Sequence, residues 1–147
     1  NNQQSAVTKI TGLAPIDSSD MLALVLERKQ VSQSSNQTEF TRLAVPSAKE
    51  KGSPSMRVLM ELDPSMRKAI LYPIGGNVLM MLNSSTVERK TNIIVVNTET
   101  GQDSEEVFAY ETLLSDYDPL QKILAVYRSS AVGAEIILLH VEENTIE

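Results

Sequence analysis

The chain has 147 residues, 41% of them hydrophobic, which is enough for one core without a metal or disulfide staple. It has no cysteine, which excludes thiol catalysis, zinc–thiolate sites and iron–sulfur clusters and leaves the redox compartment unread. The net charge is −6, and basic residues adjoin only as the pairs Arg28-Lys29, Arg67-Lys68 and Arg89-Lys90, so no basic stripe for a phosphate backbone exists.

Asn1–Ser5 reads as a flexible N-terminus, with no charged segment followed by an apolar one and hence no signal peptide. Residues 6–147 read as a single β-sandwich domain. Ala6–Ile10 suits a short strand, and Gly12 to Asp20 a loop. Met21–Lys29 is the next expected strand, Gln30–Thr38 a polar loop, and Phe40–Val45 a strand ended by Pro46. Ser47–Ser55 is a further loop. No run approaches the roughly 20 apolar residues of a membrane-spanning helix.

The tetrapeptide Pro-Ser-Met-Arg then occurs twice, at Pro54–Arg57 and Pro64–Arg67. Each copy opens an apolar run, Arg57–Leu62 and Arg67–Tyr72, joined by Asp63-Pro64-Ser65. The economical reading is two strands paired through a turn, with Met56 and Met66 inward and Arg57 and Arg67 outward. The chemical alternative is a paired arginine clamp for an anion. Five of the six methionines, Met56, Met60, Met66, Met80 and Met81, crowd this region and read as adaptable core filler.

Strands follow at Asn77–Leu82 and Thr91–Asn97. Gly75-Gly76 lacks the lysine and following helix of a phosphate loop. In Ser104–Tyr117, Ser104 suits a cap, Glu105 and Glu106 suit a helix start, and Val107, Tyr110, Leu114 and Tyr117 stand at helical spacing. The spacing predicts one helix near residues 104–117. Gln121–Arg128 and Glu135–Glu142 predict a closing antiparallel hairpin.

The whole reads as mainly β: an antiparallel β-sandwich, jelly-roll-like, of about eight strands and one helix. "MLALVL", "NIIVV" and "EIILL" are apolar at both parities, so both faces of some strands should be covered, by the helix or by another copy of the protein.

Chemistry-bearing residues are few. His140 is the one histidine, with Glu142 two residues on, and reads as a packing or interface residue on the last long strand. The carboxylate pairs Asp116/Asp118 and Glu105/Glu106 read as helix flanks, and Glu142/Glu143 as a solvated tail. No catalytic, cofactor-binding or metal residue is nominated, and the expectation is a non-enzymatic protein without cofactors. Asn36-Gln37-Thr38 and Asn83-Ser84-Ser85 match the N-glycosylation acceptor pattern in expected loops.

The C-terminal stretch "SDYDPLQKILAVYRSSAVGAEIILLHVEE", Ser115–Glu143, resembles the end of coat proteins of small spherical plant RNA viruses of the bromovirus and cucumovirus group. Glu135–Glu142, with His140 in an apolar run before acidic residues, carry most of the likeness. The resemblance implies an eight-stranded jelly roll that assembles from identical subunits into a virion shell, in the host cytoplasm. It also implies viral RNA as a partner through a basic arm, and Asn1–Thr8 contain no such arm. The alternative is a non-enzymatic protein-binding module of a surface or periplasmic assembly, with Gln30–Thr38 and Ser47–Ser55 as contact loops.

Overall fold

The computed structural model describes residues 7–16, 22–31, 37–47, 55–130 and 132–147. The expectations for Asn1–Ser5, for most of the Gln30–Thr38 and Ser47–Ser55 loops, for Asn36 and for the Met56 side chain lie outside the described residues. The fold is mainly antiparallel β. β1 (Val7–Pro15), β2 (Leu22–Val31), β3 (Gln37–Ser47) and β4 (Ser55–Leu62) form the first sheet in that order. β5 (Ile70–Gly75), β6 (Val78–Ser85), β7 (Lys90–Asn97) and β8 (Asp103–Phe108) form the second. β9 (Leu114–Asp118), β10 (Ile123–Ser130), β11 (Gly133–Glu142) and β12 (Thr145–Ile146) form the third.

The three sheets are layered, and side-chain parity assigns the faces. On β6, Leu79 and Met81 join Leu43, Val45 and Leu62 of the first sheet in one core. Met80 and Leu82 join Leu124, Val126, Leu139 and Val141 of the third sheet in another. β7 divides likewise, Ile94 and Val96 one way, Ile93 and Val95 the other. The middle sheet, which holds "NIIVV", is thus buried on both faces, and what covers it is the same chain's outer sheets; "EIILL" in β11 instead leaves Ile136 and Leu138 exposed, and the side chains of "MLALVL" lie outside the described residues.

Three expectations are corrected. The first is the helix near residues 104–117: Ser104–Phe108 lies in strand β8 and Leu114–Tyr117 in strand β9, and among the described residues there is no α-helix. β8 pairs along β7 from Thr91↔Phe108 to Val96↔Asp103, closing a ladder that β7 would otherwise leave open. That tertiary demand outweighs a three-turn helical pattern. The alternation Phe108, Tyr110 is what packs against the second core.

The second is the strand order. A jelly roll sets non-consecutive strands side by side through Greek-key connections. Here each sheet is a meander of consecutive strands, and the described residues hold twelve strands rather than about eight.

The third is the tetrapeptide repeat. Its copies do not open two paired strands. Arg57 sits in β4 of the first sheet, whereas Pro64–Lys68 is a 3₁₀ turn leading to β5 of the second. Asp63 caps that turn, accepting from the Ser65 backbone N–H at 3.0 Å, and Pro64 stands in its first turn. Two hydrogen bonds from Ser65, backbone first and then hydroxyl, hold the Asp63 carboxyl below its ordinary value. Met66 is buried in the core between the first two sheets, as expected, and Met80 and Met81 are fully buried.

The closing hairpin stands, β10 pairing with β11 from Ile123↔His140 to Ser130↔Gly133. Gly75 and Gly76, at φ 117° and 58°, make the tight β5–β6 turn, a backbone conformation that a Cβ disfavours.

Leu124 is fully buried against the middle sheet. Leu124→Ala should therefore lower stability by about 2–5 kcal/mol, read from urea unfolding, whereas Val87→Ala in the fully exposed β6–β7 turn should stay within about 0.5 kcal/mol.

Candidate functional site

Among the described residues no group of three or more His, Asp or Glu is placed to hold a metal ion. A polar cluster lies at one end of the third sheet. Lys122 Nζ donates to Glu142 Oε1 at 2.6 Å, and His140 Nε2 lies 3.1 Å from Glu142 Oε2. β10 and β11 bring these together because Ile123 opposes His140 in the register, which sets Lys122 beside Glu142. The hydrogen bond from Lys122, and then that from His140, lower the pKa of the Glu142 carboxyl. A cleft of about 610 Å³ adjoins, lined by Ile74, Gly75, Val78, Pro119, Lys122 and Glu142 among others. The three charged or polar side chains are each two-fifths or more exposed. A carboxylate with a lowered pKa is a weaker base, and the exposed cluster reads as a water-facing ion pair.

The other nominated residues scatter. Glu105 and Glu106 are not helix flanks; they lie exposed on β8, which has no further strand beside it in the second sheet. Charge on such an edge discourages a foreign strand from adding to it. Glu143 is exposed, as expected, and accepts from Asn97 Nδ2 at 2.7 Å, tying the third sheet to the second. Asp116 and Asp118 belong to β9 rather than to a helix end. Asn83 is not in a loop: it lies in β6, only 6% exposed, with Nδ2 donating to Ser65 Oγ at 3.4 Å. A glycosylation enzyme cannot reach it in the folded protein.

Arg57 is committed elsewhere than to an anion. Its two terminal nitrogens donate to the carbonyls of Thr98, at 2.6 Å, and Glu99, at 3.3 Å. Its guanidinium therefore clips the first sheet to the β7–β8 turn of the second. Arg67 lies in the last turn of the 3₁₀ segment.

The feature that sequence reasoning did not resolve is an apolar face. The register aligns Leu114, Tyr127 and Ile136 in one row across the outer side of the third sheet, and Asp116, Ala125 and Leu138 in the next. Leu114, Ile136 and Leu138 are 69%, 71% and 64% exposed. A shallow depression of about 370 Å³ lies between Leu114 and Ile136, over Ala125 and Tyr127. The inward partners Val126 and Leu139 alternate with these residues and fill the second core. The signal was present in "EIILL", apolar at both parities, but the helical spacing assigned to Leu114 hid the third member of the row.

His140 is on the same outer side, half-exposed, one row beyond Leu138. That agrees with a partly buried residue on the last long strand. No described helix is long and apolar enough to cross a membrane. Compared with protein-family models, curated proteins and solved structures, the chain matches none.

Three outcomes follow from these placements. Arg57→Ala should cost about 1 kcal/mol in urea unfolding, more than an ordinary surface arginine, with exposed Lys68→Ala within about 0.5 kcal/mol as control. Because folding lowers the Glu142 carboxyl, its contribution is full above the ordinary value of 4.5 and is lost as pH falls through the lowered one. Lys122→Ala should raise that pKa toward 4.5, as followed by carbon-detected NMR titration. Expression in a glycosylating host should leave Asn83 unmodified by peptide mapping.

Proposed function

We propose that the protein is a non-enzymatic structural module that assembles with identical subunits through the outer sheet faces of its stack. The observation that carries the reading is the row of exposed aliphatic side chains on the outer side of β9–β11. Large hydrophobics standing singly on a surface are ordinary, but a contiguous row on a flat sheet marks a contact surface. Inside the stack, the same kind of face is what another four-stranded sheet covers twice. The scattered, water-facing ionisable groups supply no competing catalytic arrangement among the described residues.

Strands β9, β10 and β11, of 5, 8 and 10 residues, about 4.8 Å apart and rising about 3.3 Å per residue, give a face of roughly 360 Å². This is below the roughly 800 Å² per partner of a standard interface, so the association is weak and concentration-dependent. A viral coat role is a narrower form of the same proposal. Its support is the likeness of Ser115–Glu143, and the assembly reading does not depend on it.

Sedimentation over a wide concentration range tests the proposal. The weight-average mass should rise above the 16.2 kDa of one chain. Ile136→Glu, at an exposed position, should return it to one chain with an unchanged circular dichroism spectrum. A wild-type chain that stays monomeric at millimolar concentration, across salt and pH, would overturn the reading.

A further inference from the structure

The second and third sheets share their margins. Tyr72 of β5 bonds Ser115 of β9 on one side. On the other side β8 lies against β12, with Phe108 and Ile146 both packed on the second core. The fourth strand of the third sheet, however, is only two residues long. β12 pairs with Val141 and Glu142, and Glu147 exchanges backbone hydrogen bonds with His140 at 2.6 and 2.9 Å. From Leu139 back to Gly133, β11 has no strand on that side among the described residues.

The backbone groups of this edge have a fixed direction. The Val141 N–H donates to the Lys122 carbonyl, toward β10, whereas His140 bonds the other way, to Glu147. The β10–β11 ladder runs without a bulge from Ile123↔His140 to Ser130↔Gly133, so the alternation continues along it. Ala134, Ile136 and Leu138 therefore aim their N–H and C=O groups away from β10, along the open edge. Edge strands are ordinarily guarded by lysine, proline or a bulge, and Ala134–Leu139 has none of these. Its one charge, Glu135, is held by Arg128 at 2.6 Å.

β8 roofs this edge. Glu106 opposes Ile93 in the β7–β8 register and shares the parity of Phe108, and Ile93 and Phe108 both face the second core. The Glu106 side chain thus points from the second sheet toward the level of the third, just outside β11. It is exposed and has no ion-pair partner among the described residues.

We infer that the Ala134–Leu138 edge of β11 is a strand-addition site for an extended peptide segment that alternates apolar and basic residues. Paired antiparallel, in line with β12, the segment sets its apolar residues opposite Ala134, Ile136 and Leu138 and widens their exposed row. Its basic residues turn the other way, under β8, toward Glu106. The slot beneath β8 is one strand wide. The β11 of a second copy would carry its own β7 into the place that β8 holds, so a lone peptide strand fits where a folded copy does not. The site is an edge rather than a face and does not rest on the assembly reading above.

The probe is an end-blocked peptide, Val-Lys-Val-Lys-Val, titrated into the isotope-labelled chain at a concentration where sedimentation gives one chain. The amide signals of Ala134, Ile136 and Leu138 should shift saturably, and their exchange with deuterated solvent should slow. The same peptide with its valine nitrogens methylated lacks the donors that face β11 and should not bind. Glu106→Lys, at an exposed position, should weaken binding about fivefold, the effect of reversing one surface charge pair. Ile136→Pro removes one outward donor and no bond to β10, and should abolish binding with an unchanged circular dichroism spectrum. If Ile136→Pro fails to fold, the methylated peptide carries the same test. Equal binding of the methylated peptide, shifts confined to Leu114, Ala125 and Tyr127, or no shift at millimolar peptide would each overturn the inference. Shifts at Ala134–Leu138 that grow with protein concentration and no peptide would make a second copy the occupant and overturn it as well.

Discussion

Burial of both faces of the β5–β8 sheet is the constraint on which the rest of the structure depends. Leu79 to Leu82 are four consecutive residues with essentially no exposed surface, pointing alternately into two separate cores. A leucine-sized side chain contributes roughly 1.5–3 kcal/mol when fully buried. A sheet with such residues on both sides is unstable in water unless both sides are covered. The outer sheets each supply one cover. They are not equivalent to the middle one: the third has one buried and one exposed face, and that inequality places the side chains of Leu114, Ile136 and Leu138 on the surface.

Polar ties fix how the layers sit on that apolar base. The connection after β8 is held to the second sheet by Thr91 Oγ1, which donates to the Tyr110 carbonyl at 2.7 Å and shares a hydrogen bond of 2.7 Å with the Thr112 hydroxyl. Ser84 Oγ accepts from the Thr112 N–H at 2.8 Å. Tyr72 and Ser115 share a hydroxyl hydrogen bond of 2.7 Å between the second and third sheets, and Tyr117 donates to the Val141 carbonyl at 2.9 Å. Arg57 does the corresponding work between the first and second. Buried or half-buried hydroxyls with partners give orientation where aliphatic packing alone would tolerate sliding. Burial raises the Tyr110 phenol pKa, and the nearby Arg128 guanidinium opposes that in part. The phenol therefore remains a neutral ring beneath Arg128, whose guanidinium lies 4.9 Å from the ring centroid.

Much of this was legible in the chain because the strands are dense in β-branched and aliphatic residues and bounded by turn residues. Thr91–Asn97 and the closing hairpin emerge with nearly the observed limits. The doubly apolar runs announced that some strands have no wet face. What covers them was not legible, because a one-dimensional pattern says that a face is buried and not against what. Ser104–Tyr117 misled for a different reason. Its acidic start and spaced apolar residues satisfy a helix locally, but β7 needs a neighbour and the chain delivers this segment to its edge. The Pro-Ser-Met-Arg copies illustrate the same limit: identical tetrapeptides enter a strand in one case and a capped 3₁₀ turn in the other. The apolar outer row was the least legible feature, since its members come from three strands that meet only through register.

The meander order of each sheet has a consequence for how the chain reaches its native state. Every strand pairs with its immediate successor or predecessor, so the ladders close over short loops and the contact order within a sheet is low. Each sheet can zip up as a local unit as the chain leaves the ribosome, N-terminal unit first. The hazard comes midway. Once β1–β8 have formed and β9–β12 have not, Met80, Leu82, Ile93 and Val95 have a finished sheet beneath them and nothing above. A translational pause after Phe108 would hold that surface open to other nascent chains. Arrival of the strands from Leu114 to Ile146 is what closes that surface.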